Sequence, residues 1–269
     1  MNVSPPPVAD APSGCVAGLP GGKNRFMSIA GRFEEALTSV TEDGLDGPEL
    51  LPTRLSRAIT KMLPVDGAGI SLSGVDGRRI PLGASSEDAA VAERLQFTVG
   101  AGPCMTAQEA REPVFALHPD LQRRWPAFAD LLQQHTSYCA VVALPLREAI
   151  SGLGAIDLYF HREDAVPELD VFEAMAVGDL VTSALSDTAV WSDWEPGRGP
   201  QWLHGPTAKR RAKVWEATGL VALALEMDTA TALAVMRAAA YSTSGSVDDV
   251  AADLLDGRLK PDELRGSAG

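Results

Sequence analysis

Residues 138–146 and 153–160 are two almost continuously apolar runs, separated by a turn at Ser151-Gly152. A strand that shows one face to water alternates apolar and polar residues, whereas a strand covered on both faces has no such need. Two such runs around a short turn read as the central antiparallel hairpin of a sheet enclosed by helices. Helices are then required for both faces. Helices segregated in sequence from an antiparallel sheet give an α+β fold.

The flanking sequence supplies those helices. Apolar residues recur at helical spacing over 27–40 (Ile29, Phe33, Leu37) and over 49–62 (Leu50, Leu51, Leu55, Ile59). The period then shortens to two strands, 67–74 and 79–84, on either side of the turn Val75-Asp76-Gly77. A polar helix over 86–95 follows. Next come a Gly-rich turn at 100–104 that opens a helix through Glu109, a short strand at 113–116, and a helix over 124–135 with Trp125, Phe128 and Leu132 inward. A longer helix over 169–185 carries Phe172, Met175, Ala176, Leu180 and Ala184 on its apolar face.

Composition marks the boundaries. Residues 1–26, rich in Pro, Gly and Ala, read as a flexible arm before a domain spanning 27–188. Residues 189–206 hold three Pro, three Gly and three Trp and read as a linker, whose tryptophans are expected to pack against a domain or a second subunit. Helical periodicity returns in a second domain, 207–262, ahead of a tail at 263–269. Its first helix aligns Val214, Ala217, Val221 and Leu225. Its second follows an N-cap at Asp228 and aligns Ala232, Leu233, Met236 and Ala240, ending at Gly245. The third starts at the capping box Ser246-x-x-Asp249, buries Val247, Val250, Ala251 and Leu254, and stops at Gly257. Three helices of this size make a small core, so dimerisation or packing against a neighbour is expected.

Charge separates the two domains further. The chain carries a formal net charge of -13, yet from residue 207 onward eight Lys and Arg nearly balance nine Asp and Glu. Lys209, Arg210, Arg211 and Lys213 crowd the start of the first C-terminal helix, where the macrodipole disfavours cations. An anionic partner such as nucleic acid supplies a reason for them. Arg237 reads either as a second contact of this kind or as a salt-bridge partner on the helix surface. Tyr241 reads either as a stacking platform, with Thr243 and Ser244 as hydroxyl partners, or as an edge-of-core residue.

Several function classes are excluded. A hydrophobic content of 45% argues against disorder as the default state. No apolar run reaches the roughly 20 residues of a membrane span, and no signal-peptide pattern opens the chain. Cys15, Cys104 and Cys139, with no CxxC, suit a reducing cytoplasm and no disulfide or zinc framework. No Ser/His/Asp set, phosphate-cradling GxxxxGK or metal-spaced His/Cys group appears, so neither a catalytic residue, a metal nor a cofactor is expected. Cys104 follows a Gly-Pro turn before a helix, where a thiolate is stabilised; equally, it reads as a small buried hydrophobe. His118, Asp120, Arg124 and Trp125 either line a small-molecule cavity with it or fasten a helix to the sheet.

Two resemblances attach to these residues. The middle region, with Gly100-Ala101-Gly102-Pro103-Cys104, Pro113-Val114, Asp120-Leu121, Arg124-Trp125-Pro126, Phe128, Pro145-Leu146 and Gly152-x-Gly154-Ala155-x-x-Leu158-Tyr159, resembles a GAF domain of the kind common in actinobacterial regulators. The C-terminal region, with Arg211, Ala217-Thr218-Gly219, Ala232-Leu233, Met236-Arg237-x-x-Ala240 and Asp249-Val250-Ala251, resembles an ANTAR domain, the RNA-binding antiterminator module. The second resemblance implies a cytoplasmic homodimer that binds paired hairpin loops in nascent mRNA and lets transcription read through, under control of the GAF-like sensor. Two rivals stand beside this reading. One is a redox sensor or enzyme acting through Cys104; the other is a module whose C-terminal helices bind an acidic protein surface.

Overall fold

The computed structural model describes residues 27–42, 44–74, 78–149, 152–191 and 199–268. The expected arm at 1–26, the turn at 75–77 and Ser151 lie outside them. In chain order the elements are α1 (Ile29–Thr38), α2 (Leu51–Met62), β1 (Gly67–Gly74), β2 (Arg79–Ala84), α3 (Glu87–Val99), α4 (Pro103–Ala110) and β3 (Val114–Ala116). They continue with α5 (His118–Arg124), α6 (Pro126–His135), β4 (Ala140–Ala149), β5 (Gly152–Phe160), α7 (Val171–Trp191), α8 (Pro206–Ala224), α9 (Thr229–Ser242) and α10 (Val247–Leu255).

The five strands form one antiparallel sheet in the order β2-β1-β5-β4-β3. The apolar runs pair as its centre, with Val142 opposite Leu158 and Leu144 opposite Ile156. Their continuous apolar character follows from alternation between two cores. Val142, Leu144, Ile156, Leu158 and Phe160 face a layer built from α1, α2 and α7. Val141, Ala143, Ala155 and Tyr159 face the other, built from α3, α4, α5 and α6. The α+β expectation holds, with a helical unit following the sheet.

Four boundaries or faces differ from the sequence reading. The expected helix over 124–135 starts at Pro126 as α6, and a further short helix, α5, precedes it and ends where Trp125 turns out at φ -139, ψ 61. The helix expected to end at 95 runs to Val99, since Gln96 and Thr98 are buried rather than solvated; Gly100 stops it in the left-handed region at φ 76. The long helix starts at Val171, extends to Trp191 and buries Ala174, Val177, Val181 and Leu185 against the sheet. Of the stripe read from sequence, Phe172 is instead 84% exposed and the rest are half-buried. Finally, the expected tail at 263–269 lies through Ala268 in a 3-10 helix, Pro261–Ala268, whose Leu264 is buried in the helical core.

The helical unit forms as its sequence dictates. Val214, Ala217, Val221, Leu225, Ala232, Met236, Ala240, Val247, Ala251 and Leu254 make one core. The Asp228 side chain accepts from the Thr231 amide to cap α9, and the Ser246 side chain accepts from the Asp249 amide to cap α10. Alanines at 217, 232, 240 and 251 permit the close helix approach. One member comes from outside: Phe97 of α3 is 2% exposed and completes this core. Fully burying such a ring contributes about 1.5–3 kcal/mol, a large share for so small a unit. Trp202, ahead of α8, packs in the core beneath α7 and donates from Nε1 to the Leu185 carbonyl at 3.2 Å. Among the described residues, no single helix is long and apolar enough to cross a membrane.

Candidate functional site

The four cations at the start of α8 do not act together. Lys209, Arg210 and Lys213 are exposed, and no carboxylate among the described residues is paired with them. The first turn of α8 holds no acid, and its N-cap, Gly205, offers no capping side chain. This end of the helix therefore combines unneutralised positive charge with first-turn amides that no side chain caps, which suits an anion.

Arg211 points the other way and corrects the sequence reading of four surface cations. It is 1% exposed, donates from Nε to Asp248 Oδ1 at 3.3 Å and from Nη2 to Asp248 Oδ2 at 3.2 Å, and ties α8 to α10. Its third hydrogen bond runs from Nη1 to the Arg79 carbonyl at 3.4 Å, and its guanidinium carbon lies 3.4 Å from the Phe97 ring centroid. Burial pushes its pKa down to about 10, with Asp248 opposing. The helical period explains the split: 211, 214, 218 and 221 share the inward face of α8, whereas 209, 210 and 213 do not.

Arg237 sits between these cases. It is half-buried, its guanidinium carbon is 4.8 Å from the Phe97 centroid, and its Nε is buried without a hydrogen-bond partner. Burial lowers its pKa. The salt bridge considered for it does not form among the described residues. Tyr241, one turn further along α9, is 45% exposed, so part of its ring is open to a partner. Thr243 and Ser244 are exposed in the following turn, where Ser244 takes φ 51 and the Gly245 amide returns to the Ala240 carbonyl at 2.8 Å. The hydroxyl of Thr243 already donates back to the carbonyls of Ala239 and Ala240.

A second site lies between the sheet and α3, and the sequence reading found only one of its members. Arg79 Nη2 donates to Ser71 Oγ at 2.9 Å and to Glu93 Oε2 at 3.3 Å, and lies 3.6 Å from Asp157 Oδ2. Gln96 Nε2 donates to Asp157 Oδ2 at 2.7 Å, and Tyr159 Oη to Glu93 Oε1 at 2.8 Å. The Cys104 amide donates to Gln96 Oε1 at 3.2 Å, and its Sγ is 3.8 Å from Ser71 Oγ. All seven side chains are buried. Burial, and Glu93 beside it, raise the Asp157 carboxyl well above its usual range against the pull of Arg79. Burial disfavours the Arg79 cation, but Cys104, Glu93 and Asp157 together lift its pKa above the ordinary value. Two acids beside a single buried cation leave one of them without a compensating charge, which is the physical cause of the rise at Asp157. Asp157 is the visible signal in the sequence: a lone acid inside a central apolar strand needs a buried partner.

Burial also raises the Cys104 thiol well above its usual value, with Arg79 opposing. Burial therefore works against an activated thiolate at this position, and full burial suits the small-hydrophobe reading. His118, Asp120 and Arg124 do not join it. The His118 amide donates to Glu163, Asp120 pairs with Arg123 at 2.6 Å, and the Arg124 guanidinium lies 4.2 Å over the Trp125 ring. Only Trp125 shares the apolar layer of Cys104. This run fastens α5 and α6 to the sheet. An open cleft between α1 and α2, lined by Arg32, Glu35, Ala36, Ser39, Lys61 and Met62, holds none of the expected residues. Among the described residues no group of His, Cys, Asp and Glu is placed to hold a metal ion.

No protein-family model matches this chain, and no curated protein matches it. Solved structures do. A domain assigned to a two-component sensor histidine kinase of Sinorhizobium meliloti 1021 is similar at TM-score 0.39 and 18% identity, over 53% of this chain and 92% of that one. The GAF domain of a phosphoenolpyruvate-protein phosphotransferase from Coxiella burnetii is similar at TM-score 0.38 and 15% identity, over 61% and 98%. A GAF domain of the corresponding Acinetobacter protein gives TM-score 0.35 and 10% identity, over 61% and 96%.

Proposed function

We propose that this chain is an RNA-binding transcription antitermination regulator. Its helical unit, α8 to α10, engages mRNA hairpin loops, and its sheet-bearing unit is a GAF-like sensor that controls it. The observation that carries the reading is the exposed trio Lys209, Arg210 and Lys213 on an uncapped, acid-free helix start, in a chain of net charge -13. Hairpin loops offer phosphates to such cations and unstacked bases to an exposed ring such as Tyr241. The ANTAR-like framework of Ala217, Thr218, Gly219, Ala232, Met236, Ala240, Val250 and Ala251 points to the same partner.

In this reading the active species is a cytoplasmic homodimer that presents two helical units to two neighbouring loops. A small molecule held by the sheet-bearing unit would be its input, and neither a cofactor nor catalysis by this chain is required. Recovery and sequencing of RNA bound in cells tests the proposal. Two adjacent short stem-loops upstream of a terminator are the expected enrichment, and recovery of no RNA above background overturns it.

A further inference from the structure

The sheet-bearing unit and the helical unit meet at the last turn of α3. Phe97 is buried there among α8, α9 and α10, with the Trp215 ring edge-on at 5.7 Å and the guanidinium groups of Arg211 and Arg237 against it. The next residue, Thr98, accepts at Oγ1 from the Val247 amide at 3.0 Å, satisfying an N-terminal donor of α10 from another unit. Gly100 then lies under Arg237, so closely that a Cβ at this position would stand 2.8 Å from Arg237 Nη1.

At this position the Arg237 guanidinium has the Phe97 ring against it but leaves a donor unused. Its Nε is buried without a partner, and no ion pair among the described residues compensates it. An arginine carries five donors in a fork that fits phosphate oxygens, and an aromatic ring uses none of them. Arg237 and the exposed Tyr241 stand one turn apart on α9, ahead of Thr243 and Ser244. We propose that the turn Phe97–Gly100 is a clamp that masks Arg237 from RNA phosphate, so that its withdrawal adds Arg237 to the surface of Lys209, Arg210 and Lys213. This inference rests on the reading of the helical unit as RNA-binding.

The clamp is wired to the buried polar cluster by covalent neighbours. Glu93 and Gln96, on the same helix, hold Tyr159 and Asp157. Arg79 places its side chain in the cluster and gives its carbonyl to Arg211. A rearrangement of the cluster therefore moves both attachments of the helical unit together. That is the physical path by which the sheet-bearing unit regulates exposure of Arg237.

The test uses the full chain with Phe97→Leu, which keeps bulk without a ring, and Gly100→Asn. Asn tolerates the left-handed conformation, and its Cβ displaces only the flexible end of Arg237. Each is made alone and with Arg237→Gln. Two quantities are read: the rate of phenylglyoxal modification of Arg237, and affinity for an RNA of two adjacent stem-loops. The single variants are expected to label Arg237 several-fold faster than wild type. They should also bind RNA about tenfold tighter, as one further arginine–phosphate pair would give, with a log K against log salt slope steeper by about 0.7 to 0.9. Arg237→Gln should abolish the gain. Unchanged labelling overturns the clamp. Faster labelling with RNA bound no more tightly overturns the masking. If no protein, wild type included, binds RNA, the RNA reading itself fails and the masking with it, whereas the labelling separately reports the clamp. Should one variant not fold, the other decides.

Discussion

The Arg211 guanidinium and the Asp248 carboxylate form a two-point ion pair with both side chains 1% exposed. It joins the first and third helices of the C-terminal unit. A buried charge stripped of its partner is far more costly than an exposed one. Arg211 is accordingly a structural residue inside what the sequence presents as a run of surface cations.

Arg211→Ala and Asp248→Ala are each expected to destabilise the chain by about 3–5 kcal/mol, the usual consequence of leaving one buried charge unpaired. The double variant should cost much less than the sum of the two. Urea unfolding of the four proteins measures this. Additive losses would contradict a coupled pair.

Lys209, Arg210 and Lys213 lead to the opposite expectation. Replacing all three with Ala removes cations from an unfavourable helix end, so stability should be unchanged or slightly raised. Affinity for stem-loop RNA should fall, and the salt slope should flatten by roughly 0.7 to 0.9 for each phosphate no longer neutralised. Fluorescence anisotropy titrations at several salt concentrations read both quantities.

In the folded chain burial, and Glu93 beside it, lift the Asp157 carboxyl well above its usual range. A folded pKa above the unfolded one makes stability fall as pH rises, starting near the ordinary Asp value of about 3.9. Asp157→Asn removes this dependence while keeping an acceptor for Gln96. The melting temperature of the variant relative to wild type should therefore climb as pH rises from about 4 toward neutrality. Wild type gaining on the variant over that interval would contradict a protonated Asp157.

Cys104 is 0% exposed, and burial pushes its thiol well above the usual value. Iodoacetamide at about pH 8 should leave it unmodified in native protein and label it fully after denaturation. Peptide mapping reads the site directly. Rapid native alkylation of Cys104 would reopen the redox reading.

The sequence made the fold legible wherever periodicity was uninterrupted. The runs around Leu144 and Ile156 revealed a sheet covered on both faces, and Val214, Ala217 and Val221 revealed the inward face of α8. Turn chemistry at Ser246, Asp228 and Gly257 fixed helix ends for local reasons. What escaped was decided by long-range packing. Nothing near Phe97 announces that it completes a core formed more than a hundred residues later. Arg211 and Arg210 are adjacent and chemically identical, and only the helical phase set by Val214 separates a buried strut from a surface cation. Glu93 and Gln96 gave α3 a polar appearance because their partners, Arg79, Asp157 and Tyr159, come from separated stretches of strand.

RNA is the proposed partner of the helical unit, and everything said of Lys209, Arg210 and Lys213 depends on it. The most direct measurement is a titration of the full chain with an RNA of two adjacent stem-loops, alongside duplex DNA of equal length, between about 50 and 200 mM salt. The prediction is preferential binding of the RNA with a log–log slope near -4 to -5, as expected for about three phosphate contacts from each of two subunits, and loss of that slope in the triple variant Lys209→Ala, Arg210→Ala, Lys213→Ala. Equal affinity for DNA, or a slope that the triple variant leaves unchanged, would contradict it.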